Sequence, residues 1–293
     1  MSSNPPETPG PLVDQTDVTY CAGHPDVPTK LRCSRCDRPI CGRCAIPATV
    51  GQHCPWCVAD ARRTAPKVRS TMSATAPVVV AIVAANVAVY LAQNLVPAIT
   101  QQFASFPPAI AQGEWWRLIT PMFLHAPLRS TFSLLHIGFN MFVLWNYGPH
   151  VEERLGTLRF TLCYFVAGFF ASAASYAFGP CNVLGLGASG AIFGIVGVLL
   201  VILYNRRRSS FVRGYLQNLL FFVGLNLLLG LRLAGIDWVA HAGGLVAGLL
   251  LGAGFDRARS GAGTTAVQVA TAATVVAAAV ALVAWRTASF SCV

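Results

Sequence analysis

The sequence predicts an all-α polytopic membrane protein preceded by a small metal-stabilised domain. Three observations carry that prediction. The chain is 55% hydrophobic and only 11% charged, where a soluble domain carries about a quarter charged residues. It contains seven apolar segments, most of them near the roughly 20 residues needed to cross a bilayer. Seven of its ten cysteines lie between Cys21 and Cys57, ahead of the first apolar run.

In chain order, residues 1–19 are rich in Pro, Ser and Thr without periodicity, so a disordered tail is expected. Residues 20–58 hold the cysteine cluster, 59–75 read as a basic linker, and 76–290 form the membrane domain. The apolar segments run from Ala76 to Val96, Phe132 to Tyr147, Phe160 to Phe178, Leu186 to Tyr204, Tyr215 to Leu233, Trp238 to Phe255 and Ala266 to Trp285. The first begins too far into the chain for a cleavable signal peptide. The second is short and holds His136 and Asn140, so it is expected to pack inside a bundle and away from lipid.

The net charge of +10 comes mostly from 19 arginines, against two lysines. They cluster beside apolar runs, which reads as membrane topology and argues against nucleic acid as a partner. Arg62, Arg63, Lys67 and Arg69 precede the first segment. Arg154 and Arg159 lie between the second and third, Arg206, Arg207, Arg208 and Arg213 between the fourth and fifth, and Arg257 and Arg259 between the sixth and seventh. Only Arg117, Arg129, Arg232 and Arg286 fall outside or at the outer boundary. Excess positive charge stays cytoplasmic, so the N-terminus is expected inside and the C-terminus outside, in the cell membrane. The loop before residue 186 then faces outward.

The cysteine cluster reads Cys21-x2-His24, Cys33-x2-Cys36, Cys41-x2-Cys44 and His53-Cys54-x2-Cys57. Thiolate and imidazole are the ligands that structural zinc prefers, and four pairs supply two tetrahedral sites. A domain of this size needs such staples. Every position is filled, so no zinc serves catalysis, and the domain is expected to contact a protein partner. Lys30, Arg32, Arg35, Arg38 and Arg43 are basic and would suit nucleic acid, but the ligand pattern does not need it. The order of pairs resembles the B-box zinc finger. That resemblance implies cross-bracing, with Cys21, His24, Cys41 and Cys44 on one Zn2+ and Cys33, Cys36, Cys54 and Cys57 on the other. B-boxes usually end in histidines, which leaves His53 as a rival ligand here.

Three polar constellations remain in the apolar part. His136 and Asn140 are four residues apart and share a helix face. "GASG" surrounds Ser189 at the start of the fourth segment, and His241 lies near the outer end of the sixth. The predicted topology brings all three to the outer half of the membrane. Several other polar residues have structural explanations. Ser172 and Ser175 are expected to bond their own backbone, and Asn86, Asn218 and Asn226 to bond neighbouring helices. His125 and His150 fall in loops and are expected exposed. Gly244, Gly248 and Gly252 recur every four residues, a face suited to close helix packing.

Together these residues resemble the rhomboid intramembrane serine proteases. The resemblance covers most of residues 76–290. It rests on "GEWWRLITPMFLH", on "HIGFNM", on Gly148-x3-Glu152-x3-Gly156, on "GASG" at Ser189 and on "HAGG" at His241. It implies a six-helix core, here followed by a seventh transmembrane helix. It further implies Ser189 as nucleophile, His241 as general base and acid, and His136 and Asn140 as oxyanion stabilisers. Trp116 and Arg117 match the loop motif that packs at the membrane interface. Where many members carry a tyrosine stacked on the histidine, this chain has Phe193.

The residues by themselves support that chemistry. Serine needs a base to become a good nucleophile. The glycines around Ser189 and His241 permit their helices to pack closely. Gly187 lets the backbone turn into a helix start, whose free amides suit an oxyanion, and it is expected with His136 and Asn140 among the oxyanion residues. Asp237 lies four residues before His241 but in the outer loop, so a Ser-His dyad is expected and not a triad. The expected substrates are single-span membrane proteins cut near their outer boundary. A non-catalytic client-binding relative is the alternative. A transporter with histidine relays is disfavoured by the lack of an evident internal repeat and of membrane carboxylates. Cys181 and Cys292 both fall outside, where an oxidising compartment would allow a disulfide.

Overall fold

The computed structural model describes residues 18–64, 76–233, 235–257 and 264–292. The expected tail, up to residue 17, and the linker from 65 to 75 lie outside the described residues, as does Arg259. The chain forms two compact units.

The first unit has two small hairpins and a helix. Strands β1 (Tyr20–Cys21) and β2 (His24–Pro28) pair antiparallel, with Cys21 opposite His24. Strands β3 (Ile46–Pro47) and β4 (Gln52–His53) form the second hairpin, followed by helix α1 (Pro55–Thr64). The helix continues past residue 58, so the expected linker starts as helix and not as irregular chain. The core of this unit consists of Cys21, Cys33, Ile40, Cys41, Cys44 and Cys54. Among the described residues, Ile40 is its one buried apolar side chain that is not cysteine, far too little apolar surface to hold nearly fifty residues.

The second unit is helical throughout. Helix α2 (Pro77–Leu95) is followed by two short helices, α3 (Ala98–Phe103) and α4 (Pro107–Ala111), and by 3-10 turns at Trp115–Leu118 and Thr120–Phe123. Then come α5 (Ser133–Leu155), α6 (Thr157–Phe178), α7 (Ser189–Asn205), α8 (Ser210–Arg232), α9 (Trp238–Arg257) and α10 (Thr264–Ala288). Helices α2, α6, α8, α9 and α10 are long and apolar enough to cross a membrane. Each apolar segment read from the sequence is a helix. The second differs from expectation in two ways. Helix α5 runs 23 residues, and Leu134, Leu135, Phe139, Phe142 and Trp145 are exposed along it. The polar face is buried, while this apolar face is free to meet lipid.

Helix α7 is the centre of the unit, with Gly190 to Leu200 buried without interruption. At 17 residues it is about 25 Å long, short of the ~30 Å hydrocarbon thickness. A helix encased by others need not span, and its first residue can therefore lie below the surface. Its neighbour α9 touches it backbone to backbone. A Cβ on Gly244 would come within 2.0 Å of the Gly190 carbonyl oxygen, and one on Gly248 within 2.0 Å of that of Gly194. The four-residue glycine spacing is thus what allows the two helices to meet.

Two carboxylates hold helix ends: Glu152, of the quoted glycine motif, and Asp256. Glu152 is buried and accepts the amides of Val78 and Val79 at 3.0 and 2.9 Å, satisfying free donors in the first turn of α2. Asp256 is buried at the far end from Ser189. It accepts from Arg154 at 3.1 Å, Arg206 at 2.9 Å and Asn205 at 2.9 Å, joining the ends of α5, α7 and α9. Two further expectations are corrected. Asn226 donates to the carbonyl four residues back on its own helix. Ser175 donates to Asp237 on another element and not to its own backbone.

Candidate active site

Ser189 is the first residue of α7, with Ala188 before it as the cap. Gly187 has φ +133°, and a Cβ there would meet His136 Nε2 at 2.8 Å. Both the conformation and the space demand glycine. The Gly187 amide is tied to the Pro121 carbonyl at 3.0 Å, which fixes the approach to Ser189.

Ser189 Oγ lies 2.8 Å from His241 Nε2, across the glycine contact of α7 and α9. The ring of Phe193 stacks on His241 with centroids 4.4 Å apart and planes 9° from parallel. Phe193 is one helical turn after Ser189, so one helix both offers the hydroxyl and sets the face of its partner ring. His241 Nδ1 is buried and has no hydrogen-bond partner among the described residues. Asp237 stands near but is engaged elsewhere. One of its oxygens accepts the Ala240 amide at 2.9 Å, as a cap of α9, and the other accepts the Ser175 hydroxyl. Asp237, Ser172, Ser175 and Ser189 line a cavity of about 40 Å³, which is room for water.

His136 faces Gly187 through Nε2, while its Nδ1 accepts the Ala126 amide at 3.3 Å. Asn140 donates to the His136 carbonyl at 2.8 Å, so its amide is turned along its own helix. His125, expected exposed, is fully buried with its ring edge on His136 at 5.1 Å. Burial, with His136 beside it, drives its pKa down to about 3. His125 is the last residue of the quoted loop motif, which says nothing of its burial. His150 is exposed as expected, but on α5 and not in a loop.

Arg117 is buried and organises that loop. It pairs with Glu114 at 2.6 Å and donates to the carbonyls of Gln101 and Ala104 at 2.8 and 2.7 Å. Trp116 is half exposed and donates to the Gln102 carbonyl at 3.3 Å.

In the N-terminal unit, the eight ligand candidates separate into two groups. Cys21, His24, Cys41 and Cys44 form one, and Cys33, Cys36, Cys54 and Cys57 the other, each with ligand atoms within 4.8 Å of one another. This is the cross-braced assignment. His53 lies in β4 and belongs to neither group. The Cys36 and Cys54 sulfurs are 3.7 Å apart, and His24 Nδ1 lies 3.5 and 3.2 Å from the sulfurs of Cys41 and Cys44. A tetrahedron with Zn–S bonds of ~2.3 Å has edges of roughly 3.8 Å, so the donor sets fit such an ion.

A family model described as "Rhomboid domain" matches residues 112–257. The chain is 40% identical over 153 residues to Rhomboid protease GluP of Bacillus subtilis, covering 52% of this chain and 28% of that protein. It is 37% identical over 154 residues to Rhomboid-like protease 1 of Toxoplasma gondii, covering 51% and 50%. The chain thus spans half or less of the length of these two relatives. With YdcA of Bacillus subtilis the identity is 34% over 143 residues, covering 48% of this chain and 68% of that protein. Gly187, Ser189 and His241 lie within the matched domain, and the chain belongs to the rhomboid family.

Proposed function

We propose that this chain is an intramembrane serine endopeptidase that cuts single-span membrane proteins through a Ser189–His241 dyad. The observation that carries the reading is the 2.8 Å contact between Ser189 Oγ and His241 Nε2 at a buried helix start. His241 takes the Ser189 proton as Oγ attacks the scissile carbonyl, then delivers it to the leaving amine. The free amides at the start of α7 and the side chain of His136 receive the developing oxyanion. Asn140 joins them only after its amide turns away from the His136 carbonyl. Water from the cavity beside Ser189 releases the acyl group. Asp237 acts as a helix cap, so Asp237→Asn should leave cleavage near the parent level.

The N-terminal unit, in this reading, holds two structural Zn2+ ions and offers a surface to a protein partner. The metal supplies folding energy to that unit and takes no part in cleavage. The unit lies in the cytoplasm, while Ser189 and the C-terminus face outward. The thiolates of a zinc finger need a reducing compartment and a disulfide an oxidising one, which supports the same orientation.

The test is cleavage of a reconstituted single-span substrate, with fluorophosphonate labelling alongside. Labelling at Ser189 and cleavage that disappears in Ser189→Ala are expected. Undiminished cleavage by Ser189→Ala would reject the proposal.

A further inference from the structure

We infer that the disulfide between Cys181 and Cys292 is a brace that makes α10 part of the support of the loop presenting Ser189. The bond joins residues 111 apart in the chain, with Cα atoms 5.8 Å apart. Cys181 lies in the segment between α6 and α7, eight residues before Ser189. That segment has no regular structure of its own, and its other ties sit close to Ser189. Gly185 and Ser105 exchange two backbone hydrogen bonds of 2.8 Å, and Gly187 bonds Pro121. Further from Ser189, Val183 and Leu184 are half exposed, and the disulfide is the tie at that end.

The other end of the bond is anchored well. The last turns of α10 dock on the end of α6 through side chains. Tyr176 stacks on Phe290 at 6.1 Å and meets Thr287 Oγ1 at 3.0 Å, and Phe178 packs on Trp285 at 5.8 Å. Val283 and Phe290 also pack on the buried trio Ile110, Leu118 and Tyr176. Ile110 and Leu118 belong to the stretch between α2 and α5 that also holds Ser105 and Pro121. The loop before Ser189 is therefore held from two sides by one framework: by backbone bonds directly, and by the disulfide through α10.

Forming the bond converts two thiols to one disulfide, with loss of two protons and two electrons. These go to a disulfide-bearing oxidant, a thiol oxidoreductase or a low-molecular-weight disulfide, which leaves as the dithiol. A dithiol reductant reverses the step. The brace accordingly holds on an oxidising face of the membrane and slackens when that face is reduced.

The experiment uses the full chain in detergent micelles. Non-reducing peptide mapping should find Cys181 and Cys292 linked; two free thiols would overturn the inference. Amide exchange over residues 181–188 should then rise roughly tenfold, as for a locally opened segment, after dithiothreitol treatment or in Cys292→Ser. Cys292→Ser should be insensitive to the reductant, which separates the brace from any effect of reductant on the N-terminal cysteines. Unchanged exchange in both samples would overturn the brace. The consequence for activity rests on the protease reading: fluorophosphonate labelling of Ser189 should slow by about the same factor. Absence of labelling in the oxidised parent would reject the protease reading, while the exchange data would still judge the brace.

Discussion

The two units of this chain solve the same problem by opposite means. Among its described residues the N-terminal unit has one buried apolar side chain besides its cysteines, and its candidate ligand atoms converge in two groups. The helical unit buries a continuous apolar core and joins its central helices through glycine, with carbonyl oxygens where side chains would otherwise stand. In the first, two clusters of side chains that could each hold an ion stand where a core would be. In the second, packing is so close that the smallest side chain is required, because in lipid no hydrophobic drive brings helices together. The lesson is that the first unit should fail all at once on loss of metal, and the second by graded loss of contacts.

The largest expected effect tests what the packing of the second unit is for. Ser189→Ala and His241→Ala should each lower substrate cleavage by at least about 10⁴-fold, because nucleophile and base act as one unit. Both variants should keep the parent's thermal unfolding in detergent; a variant that unfolds early would say nothing about chemistry and require His241→Gln instead.

Next comes metal removal, which should separate the two units. A chelator should release two zinc ions per chain and abolish the structure of residues 18–64, read by elemental analysis and circular dichroism. Cleavage of a model substrate by a chain lacking the N-terminal unit should persist. One ion per chain would break the two-site assignment, and complete loss of cleavage in a folded core would make the unit part of the catalytic machine.

A third expectation sharpens the role of glycine. Gly248→Leu should cost ~3 kcal/mol or more, since a Cβ alone would meet the Gly194 carbonyl oxygen at 2.0 Å. Gly214→Ala, where a Cβ meets nothing within 4 Å, should leave stability unchanged or slightly raised. Equal effects would mean that the α7–α9 contact is looser than described.

Smaller losses are expected around the oxyanion. His136→Ala should lower kcat by roughly a hundred- to a thousandfold, the usual cost of one donor. Asn140→Ala should do less, since its amide is bonded to the His136 carbonyl at 2.8 Å. A deeper loss for Asn140 would show that it turns toward substrate in the bound state.

The last effect, read only as stability against pH, concerns His125. Its pKa falls from 6.5 unfolded to about 3 folded. The unfolded chain therefore binds the extra proton between those values, and stability rises with pH across that window. The contribution is complete above pH 6.5 and is lost as pH falls toward 3. His125→Gln should flatten this part of a stability profile measured in detergent.

Much of the architecture is legible in the sequence because it is written in local terms. Apolar runs of near-spanning length mark helices wherever they occur, and glycine every fourth residue marks a close helix face. Cys-x2-Cys and Cys-x2-His pairs mark ligands. Ser189 and His241 stand out because a hydroxyl and an imidazole are rare in such runs. Polar residues whose meaning depends on a distant partner were not legible. Ser175 looked like a serine bonding its own helix, and its partner Asp237 is 62 residues away. His125 looked like an exposed loop residue because nothing local says that the loop folds inward over His136. Glu152 and Asp256 carry no local sign that they close helix ends 73 and 50 or more residues away.

By itself, then, the sequence determined the class of the protein, its helices, its cysteine-rich and glycine-rich stretches, and the serine and histidine that stand out within its apolar runs. Those follow from side-chain chemistry and from periodicity, which act over a few residues. The tertiary structure alone decided the rest. It brought Ser189 to hydrogen-bond distance of His241, turned both Asp237 oxygens away from that ring, separated eight ligands into two groups without His53, and joined Cys181 to Cys292. Each of these is a distance between groups far apart in the chain, set by how helices pack and not by any residue's own preference. The Gly190–Gly244 contact, where a Cβ would meet a carbonyl oxygen at 2.0 Å, lets the two helices come close enough for the first of them, which no local pattern encodes.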